Sequence, residues 1–310
     1  PQEGARGIQM DSTSFDNGTL TITSKALGMT YKGIYLMGIL NGTFSQRGAE
    51  LPLALSKVKV TRPERPQTPV APFPYNTEEV TFLNQIDDVT LGGTLIIPEN
   101  ENNLHAVILV SGSGAQNRDE ELFEHKPFAV IADKLTREGF AVLRYDDRGV
   151  GSSNGDFSKA TSIEFMNDAE AGVDYLLSRP DIAEVSIIGH SEGGLIAYMI
   201  AAKRKDISSI ISLAGPAVRG REVLLEQTRA ALMQEGYPDE ILEQNLSLKT
   251  KIYDFVVETN NLPIEEYSVA LEAKLKQIIG SSATSETISQ YTTQLNSAWI
   301  RYFINYDPSG

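Results

Sequence analysis

No cysteine occurs in the 310 residues, and that absence alone removes disulfides, thiolate-held zinc and cysteine nucleophiles. Histidine is almost as scarce. His105, His125 and His190 are scattered and form no His-Glu-x-x-His pattern, so the usual helix-borne zinc hydrolase is excluded and no metal is expected. Positive charge is in deficit, with 27 Lys and Arg against 41 Asp and Glu, a net charge of -14. No basic cluster offsets it, which argues against nucleic acid and anionic membranes as partners. Long apolar runs are missing too: although 41% of the residues are hydrophobic, none of the runs nears the ~18 residues of a membrane span. Gly149-Val150-Gly151 is no dinucleotide fingerprint, because the third glycine would fall on Asn154, and no cofactor is expected.

What is present falls into three stretches. Residues 1–60 alternate at period two in Thr19 to Thr23 and in parts of Thr30 to Leu36 and Leu53 to Val60, with Asn17-Gly18, Gly28, Gly38 and Asn41-Gly42 between them. This predicts a small antiparallel β-domain of meander type, too small to bury a good core alone. Prolines at 63, 66, 69, 72 and 74 forbid helix over 61–76 and predict an extended linker. From 77 onward strands alternate with helices. A hairpin is expected around Asp87-Asp88, then strands at Ala106 to Val110, Phe140 to Tyr145, Val185 to Ile188 and Ile207 to Ala214, separated by helices at Lys126 to Glu138 and Ser162 to Ser178. Crossovers of this length call for a mostly parallel sheet covered on both faces. After Gly215-Pro216 the strands stop, and helical stretches at Glu222 to Gln234, Glu240 to Val257, Ile264 to Ile279 and Thr287 to Ile304 predict a helical lid over about 219–305. Aromatics such as Tyr253, Phe255, Tyr267, Trp299, Tyr302 and Phe303 sit at helical spacing, which favours lid core over pocket lining.

The chemistry is concentrated in Val185-Ser186-Ile187-Ile188-Gly189-His190-Ser191-Glu192-Gly193-Gly194-Leu195, a buried strand running through a small-residue turn into an apolar helix. A strand that reverses into a helix with almost no loop needs small neighbours and leaves one side chain, Ser191, at the apex. A serine hydroxyl is a poor nucleophile at neutral pH and needs a base and oxyanion donors. One donor is expected from the backbone N–H of Glu192 at the helix N-terminus. The other is expected from Ser111-Gly112-Ser113-Gly114-Ala115 after the strand Ala106 to Val110, with the N–H of Ser113 best placed.

The elbow, the Ser-Gly-Ser-Gly loop with Gln116-Asn117-Arg118-Asp119 after it, and Arg144-Tyr145-Asp146-Asp147-Arg148-Gly149-Val150-Gly151-Ser152-Ser153 together resemble the α/β-hydrolase superfamily. They resemble in particular its bacterial serine esterases with an N-terminal β-domain. The resemblance implies a Ser-His-Asp mechanism on small-molecule acyl esters under a helical lid, with Ser191 as nucleophile and a structural role for the 146–153 loop. His125 with Lys126-Pro127-Phe128 also resembles the family pattern, as a substrate contact or a helix start. The family's histidine should follow the nucleophile along the chain. None does here, and Asp307 lies in a segment resembling the approach to the strand before the acid, so acid and base are expected beyond residue 310. A peptidase of the same fold and a non-catalytic scaffold holding an acyl ligand stay open beside the esterase reading. Oligomeric state is not legible.

Overall fold

The computed structural model describes residues 10–25, 27–46, 49–56, 64–99, 103–280 and 284–308. Two compact units meet in the chain between Pro66 and Gln67, the loop tip Leu122–Glu124 counting with the first.

The first unit is a five-stranded antiparallel meander of β1 (Ser12–Asp16), β2 (Thr19–Ser24), β3 (Met29–Leu36), β4 (Ile39–Gln46) and β5 (Ala49–Ser56), neighbours in that order. Cross-strand registry puts Phe15, Leu20, Ile22, Tyr31, Tyr35, Leu40, Phe44, Leu51, Leu53 and Leu55 on one face. The other face is mixed, with serine and threonine at half of its positions and Ile34, Leu36 and Ile39 among the rest. Tyr31 lies across Gly33 and donates from its hydroxyl to the carbonyls of Leu40 and Leu53 at 3.0 and 3.2 Å. The expected strand at 53–60 runs instead over 49–56, and residues 57–63, with the start of the expected linker, lie outside the described residues. The far end of that linker, at Tyr75, is already strand.

The second unit carries the mixed sheet. Its strands are β6 (Tyr75–Asn84), β7 (Val89–Pro98), β8 (Leu104–Val110), β9 (Ala141–Tyr145), β10 (Ile182–His190) and β11 (Ile207–Leu213), in the order β11-β10-β8-β9-β7-β6. The last four in sequence pair parallel, and the hairpin β6–β7 adds antiparallel at one side. Alternation along β8 and β10 feeds two cores. Ile108, Val110, Val185 and Ile187 pack with α2 (Ser162–Leu177) and α3 (Glu192–Lys203), while Val107, Leu109 and Ile188 pack with α1 (Pro127–Arg137). Strands buried on both faces have no polar side to show, which is why they read as unbroken β-branched runs. Helix α2 starts on a capping box in which Thr161 and Glu164 satisfy each other's backbone amides.

The lid comprises α4 (Gly220–Gln234), α5 (Asp239–Glu258), α6 (Ile264–Ile279), α7 (Ser285–Leu295) and α8 (Ala298–Asn305). Tyr253, Tyr267, Leu271, Leu275, Leu295, Ile300 and Ile304 give it a core of its own. The single helix expected over 287–304 is two. Ser297 opens α8 by accepting from the amide of Ile300 at 3.2 Å, a local competitor to the continuing helix. No described helix is long and apolar enough to cross a membrane.

Candidate active site

Strand β10 ends at His190 and α3 begins at Glu192, so Ser191 alone makes the turn. Its backbone adopts φ 51° and ψ -116°, a region that costs a non-glycine residue about 1–3 kcal/mol and persists only where the surroundings enforce it. The enforcement is visible. The Ser191 amide donates to the Leu213 carbonyl at 2.8 Å, and its carbonyl accepts from Gly194 at 2.9 Å. A Cβ on Gly189 would stand 2.0 Å from the Gly193 carbonyl oxygen, and one on Gly193 would stand 2.1 Å from that of Val110. Backbone meets backbone at both places, and only glycine fits. Among the described residues Ser191 Oγ makes no hydrogen bond.

The loop after β8 is fixed from several sides. The Ser111 hydroxyl donates to Asp147 Oδ1 at 2.7 Å and the Gln116 amide to Asp147 Oδ2 at 2.8 Å, so one carboxylate holds both ends of the 111–116 turn. Burial pushes Asp147 up to about 7, the two donors opposing the shift and the charges of Asp168 and Glu192 adding to it. A cavity of about 10 Å³, room for roughly one water, lies among Ser111, Gly112, Asp147 and Glu192. Next door Asp146 behaves oppositely. Burial again raises it, but the Arg118 guanidinium and the amides of Ser152 and Arg118 outweigh that and hold it at about 2. Arg148, from the same segment, is buried against Asp168 at 2.7 Å and Asp87 at 2.8 Å, so the 146–153 loop is built as a clamp.

Of the residues singled out in the sequence, Ser113 is exposed in this loop, and its amide makes no hydrogen bond among the described residues. Glu192 opens α3, where no preceding turn offers its amide a carbonyl. Its side chain turns inward, 3% exposed, and accepts from Ser162 Oγ and from Trp299 Nε1 at 2.7 Å. Burial raises its pKa, against those two hydrogen bonds. The three imidazoles are all engaged: His105 with Ser186 at 2.7 Å, His125 with Gln67 at 3.4 Å and His190 with Glu120 at 2.7 Å. Glu120 is the residue that sequence reasoning passed over. Its Oε1 accepts from both His190 Nδ1 and the Gly112 amide, the latter at 2.8 Å. Nothing distinguishes it in sequence within the run Asp119-Glu120-Glu121 of an acidic chain.

A six-stranded mixed sheet with a strained serine between a parallel strand and its helix is the α/β-hydrolase fold. The family described as serine aminopeptidase, S33, matches residues 124–253. Among individual proteins the chain is similar to Esterase EstD of Thermotoga maritima, 29% identical over 184 residues that make up 59% of this chain and 43% of that protein. It is also similar to an acyl transferase of Photobacterium leiognathi, 27% identical over 160 residues, 50% of this chain and 48% of that protein. A solved esterase of Pyrococcus furiosus, Pf2001, superimposes with a TM-score of 0.42 at 20% identity, covering 70% of this chain and 66% of that one. The chain spans just under half the length of these two curated relatives.

Proposed function

We propose that Ser191 is the nucleophile of a serine hydrolase that cleaves carboxylic esters through an acyl-enzyme. The observation that carries the reading is the enforced backbone of Ser191 (φ 51°, ψ -116°) between strand and helix, with its hydroxyl uncommitted. Ser191 Oγ attacks the ester carbonyl carbon, the carbonyl electrons move onto oxygen, and the hydroxyl proton passes to a base. The amides of Glu192 and Ser113 are the donors for the resulting oxyanion. Collapse of this intermediate breaks the bond to the alcohol, which leaves with the proton, and water then releases the acid by the same route. The three imidazoles have partners other than Ser191, so the reading assigns the base and its acid to sequence outside residues 1–310. The similarity to Esterase EstD supports ester substrates. The serine aminopeptidase match keeps amides as a second substrate class, since amide and ester cleavage share this machinery and differ in pocket and leaving-group protonation.

The test, on the full-length protein that supplies the base and its acid, is turnover of p-nitrophenyl butyrate and of an aminoacyl p-nitroanilide, with intact mass recorded during the reaction. A butyryl adduct that disappears in Ser191→Ala, with ester cleaved faster than anilide, is the expected result. Equal turnover in Ser191→Ala would sink the reading.

A further inference from the structure

An oxyanion donor works only if it stands about 2.7–3.1 Å from where the negative oxygen will form, before that oxygen forms. The segment Ser111-Gly112-Ser113-Gly114-Ala115 is poorly equipped to hold itself there, having two glycines and no bulky side chain. Asp147 secures its ends at Ser111 and Gln116. What secures the middle is one oxygen atom. Glu120 Oε1 takes the Gly112 amide at 2.8 Å and His190 Nδ1 at 2.7 Å, which ties the residue before Ser113 to the residue before Ser191.

Three further observations bear on this junction. Gly112 is packed directly on the nucleophile: a Cβ there would meet Ser191 Cβ at 3.2 Å, Glu120 Oε1 at 3.1 Å and His190 Nδ1 at 3.3 Å. Because its amide hydrogen is spent on Glu120, Gly112 cannot donate to substrate, and the next amide along is that of Ser113. Glu120 is itself 7% exposed and sits at φ 49°, a left-handed conformation that costs a residue with a Cβ about 1–2 kcal/mol. Strain of this kind survives where contacts over-determine the backbone: the Glu120 amide donates to the Asn117 carbonyl at 2.9 Å, Asn117 Oδ1 accepts from the amides of Asp119 and Glu121, and the side chain adds those two hydrogen bonds.

We infer that Glu120 is a positioning residue: with His190 as its anchor on the elbow, it sets the distance between the Ser113 amide and Ser191 Oγ. The inference rests on the reading of Ser191 as nucleophile. Glu120 touches no substrate in this account and acts only through Gly112. His190 is thereby the fixed end of a tether, its Nδ1 proton donated to the carboxylate.

The experiment compares Glu120→Ala, Glu120→Gln and the milder Glu120→Asp with wild type, all in the full-length protein. It measures kcat and KM for p-nitrophenyl butyrate and hydrogen exchange at the Gly112 amide. In Glu120→Ala kcat falls about 10- to 100-fold, less than the loss of a whole oxyanion donor, while KM stays within about threefold. The Gly112 amide loses its protection. Glu120→Gln keeps an accepting oxygen and recovers both readings to near wild type, and Glu120→Asp, which withdraws the carboxylate by one methylene, falls between and serves if Glu120→Ala does not fold. Wild-type kcat in Glu120→Ala, or a Glu120→Gln as impaired as Glu120→Ala, overturns the inference. Absence of Ser191-dependent turnover in the wild type overturns the ester hydrolase reading instead, and exchange at Gly112 still decides whether the tether exists.

Discussion

Asp147 and Asp146 are consecutive carboxylates pushed to opposite ends of the scale, at about 7 and about 2. Asp147 has hydrogen-bond donors but no cation, whereas Asp146 has Arg118 at 2.7 Å, and a dry site without a countercharge favours the proton. The pH consequence follows in sign. An Asp147 that holds its proton to about 7 when folded and to about 4 when unfolded stabilises the native state below that window, and the contribution is lost as pH rises through it. At about 1.4 kcal/mol per pH unit the loss amounts to a few kcal/mol. Asp147→Asn is therefore expected to flatten the fall in urea-unfolding stability between pH 5 and pH 8, at the cost of about 1 kcal/mol for the donor it leaves unpaired. An unchanged slope counts against a buried, proton-holding Asp147. Sequence makes one kind of residue legible and hides the other. Gly189, Ser191 and Gly193 announce themselves because the steric demand is confined to five consecutive positions. Glu120 and Asp147 do not, because their partners lie 70 and 36 residues away and nothing local marks a carboxylate as buried.

The elements were the more readable level, for a reason that also explains the errors. The centres of β8, β10 and α3 are apolar and largely buried, although Glu184 and Tyr198 reach solvent, and such a run leaves little but its length to interpret. The seventh and eighth helices merged in prediction because the apolar period continues past Asn296, while the signal that ends α7 is a single serine. That break sets the course of α8, and with it Trp299, whose indole N–H reaches the Glu192 carboxylate. Trp299→Phe keeps most of the packing against Phe303 and removes the donor, leaving Glu192 buried with Ser162 as its remaining partner. The expected cost is about 1–3 kcal/mol by chemical denaturation at pH 8. It should shrink toward pH 5, because removing a donor to the charged form lets Glu192 take up a proton more readily. A penalty independent of pH assigns the role of Trp299 to packing.

At the scale of the whole chain, every residue of the three large hydrophobic clusters lies between Tyr75 and Ile304, and none comes from the meander. Among the described residues, the second unit therefore holds all three of these clusters within itself. A chain beginning at Gln67 is expected to keep the cooperative thermal transition of the sheet and lid, with a midpoint within a few degrees of the longer chain. Loss of cooperativity or of near-ultraviolet circular dichroism refutes that independence. The division of the chain was legible only coarsely, since proline spacing shows where helix is forbidden but not where a strand such as β6 begins.

The sequence contains one tryptophan, and it is the one whose nitrogen rests on the carboxylate next to Ser191. Emission of residues 1–310 excited at the red edge, where tyrosine no longer absorbs, therefore comes from a single indole hydrogen-bonded to the residue after Ser191. Ionisation of Glu192, retreat of α8 or the acylation proposed for Ser191 would change the surroundings of that one fluorophore. The protein carries its own optical gauge, and each of these events can be followed in real time without attaching a label.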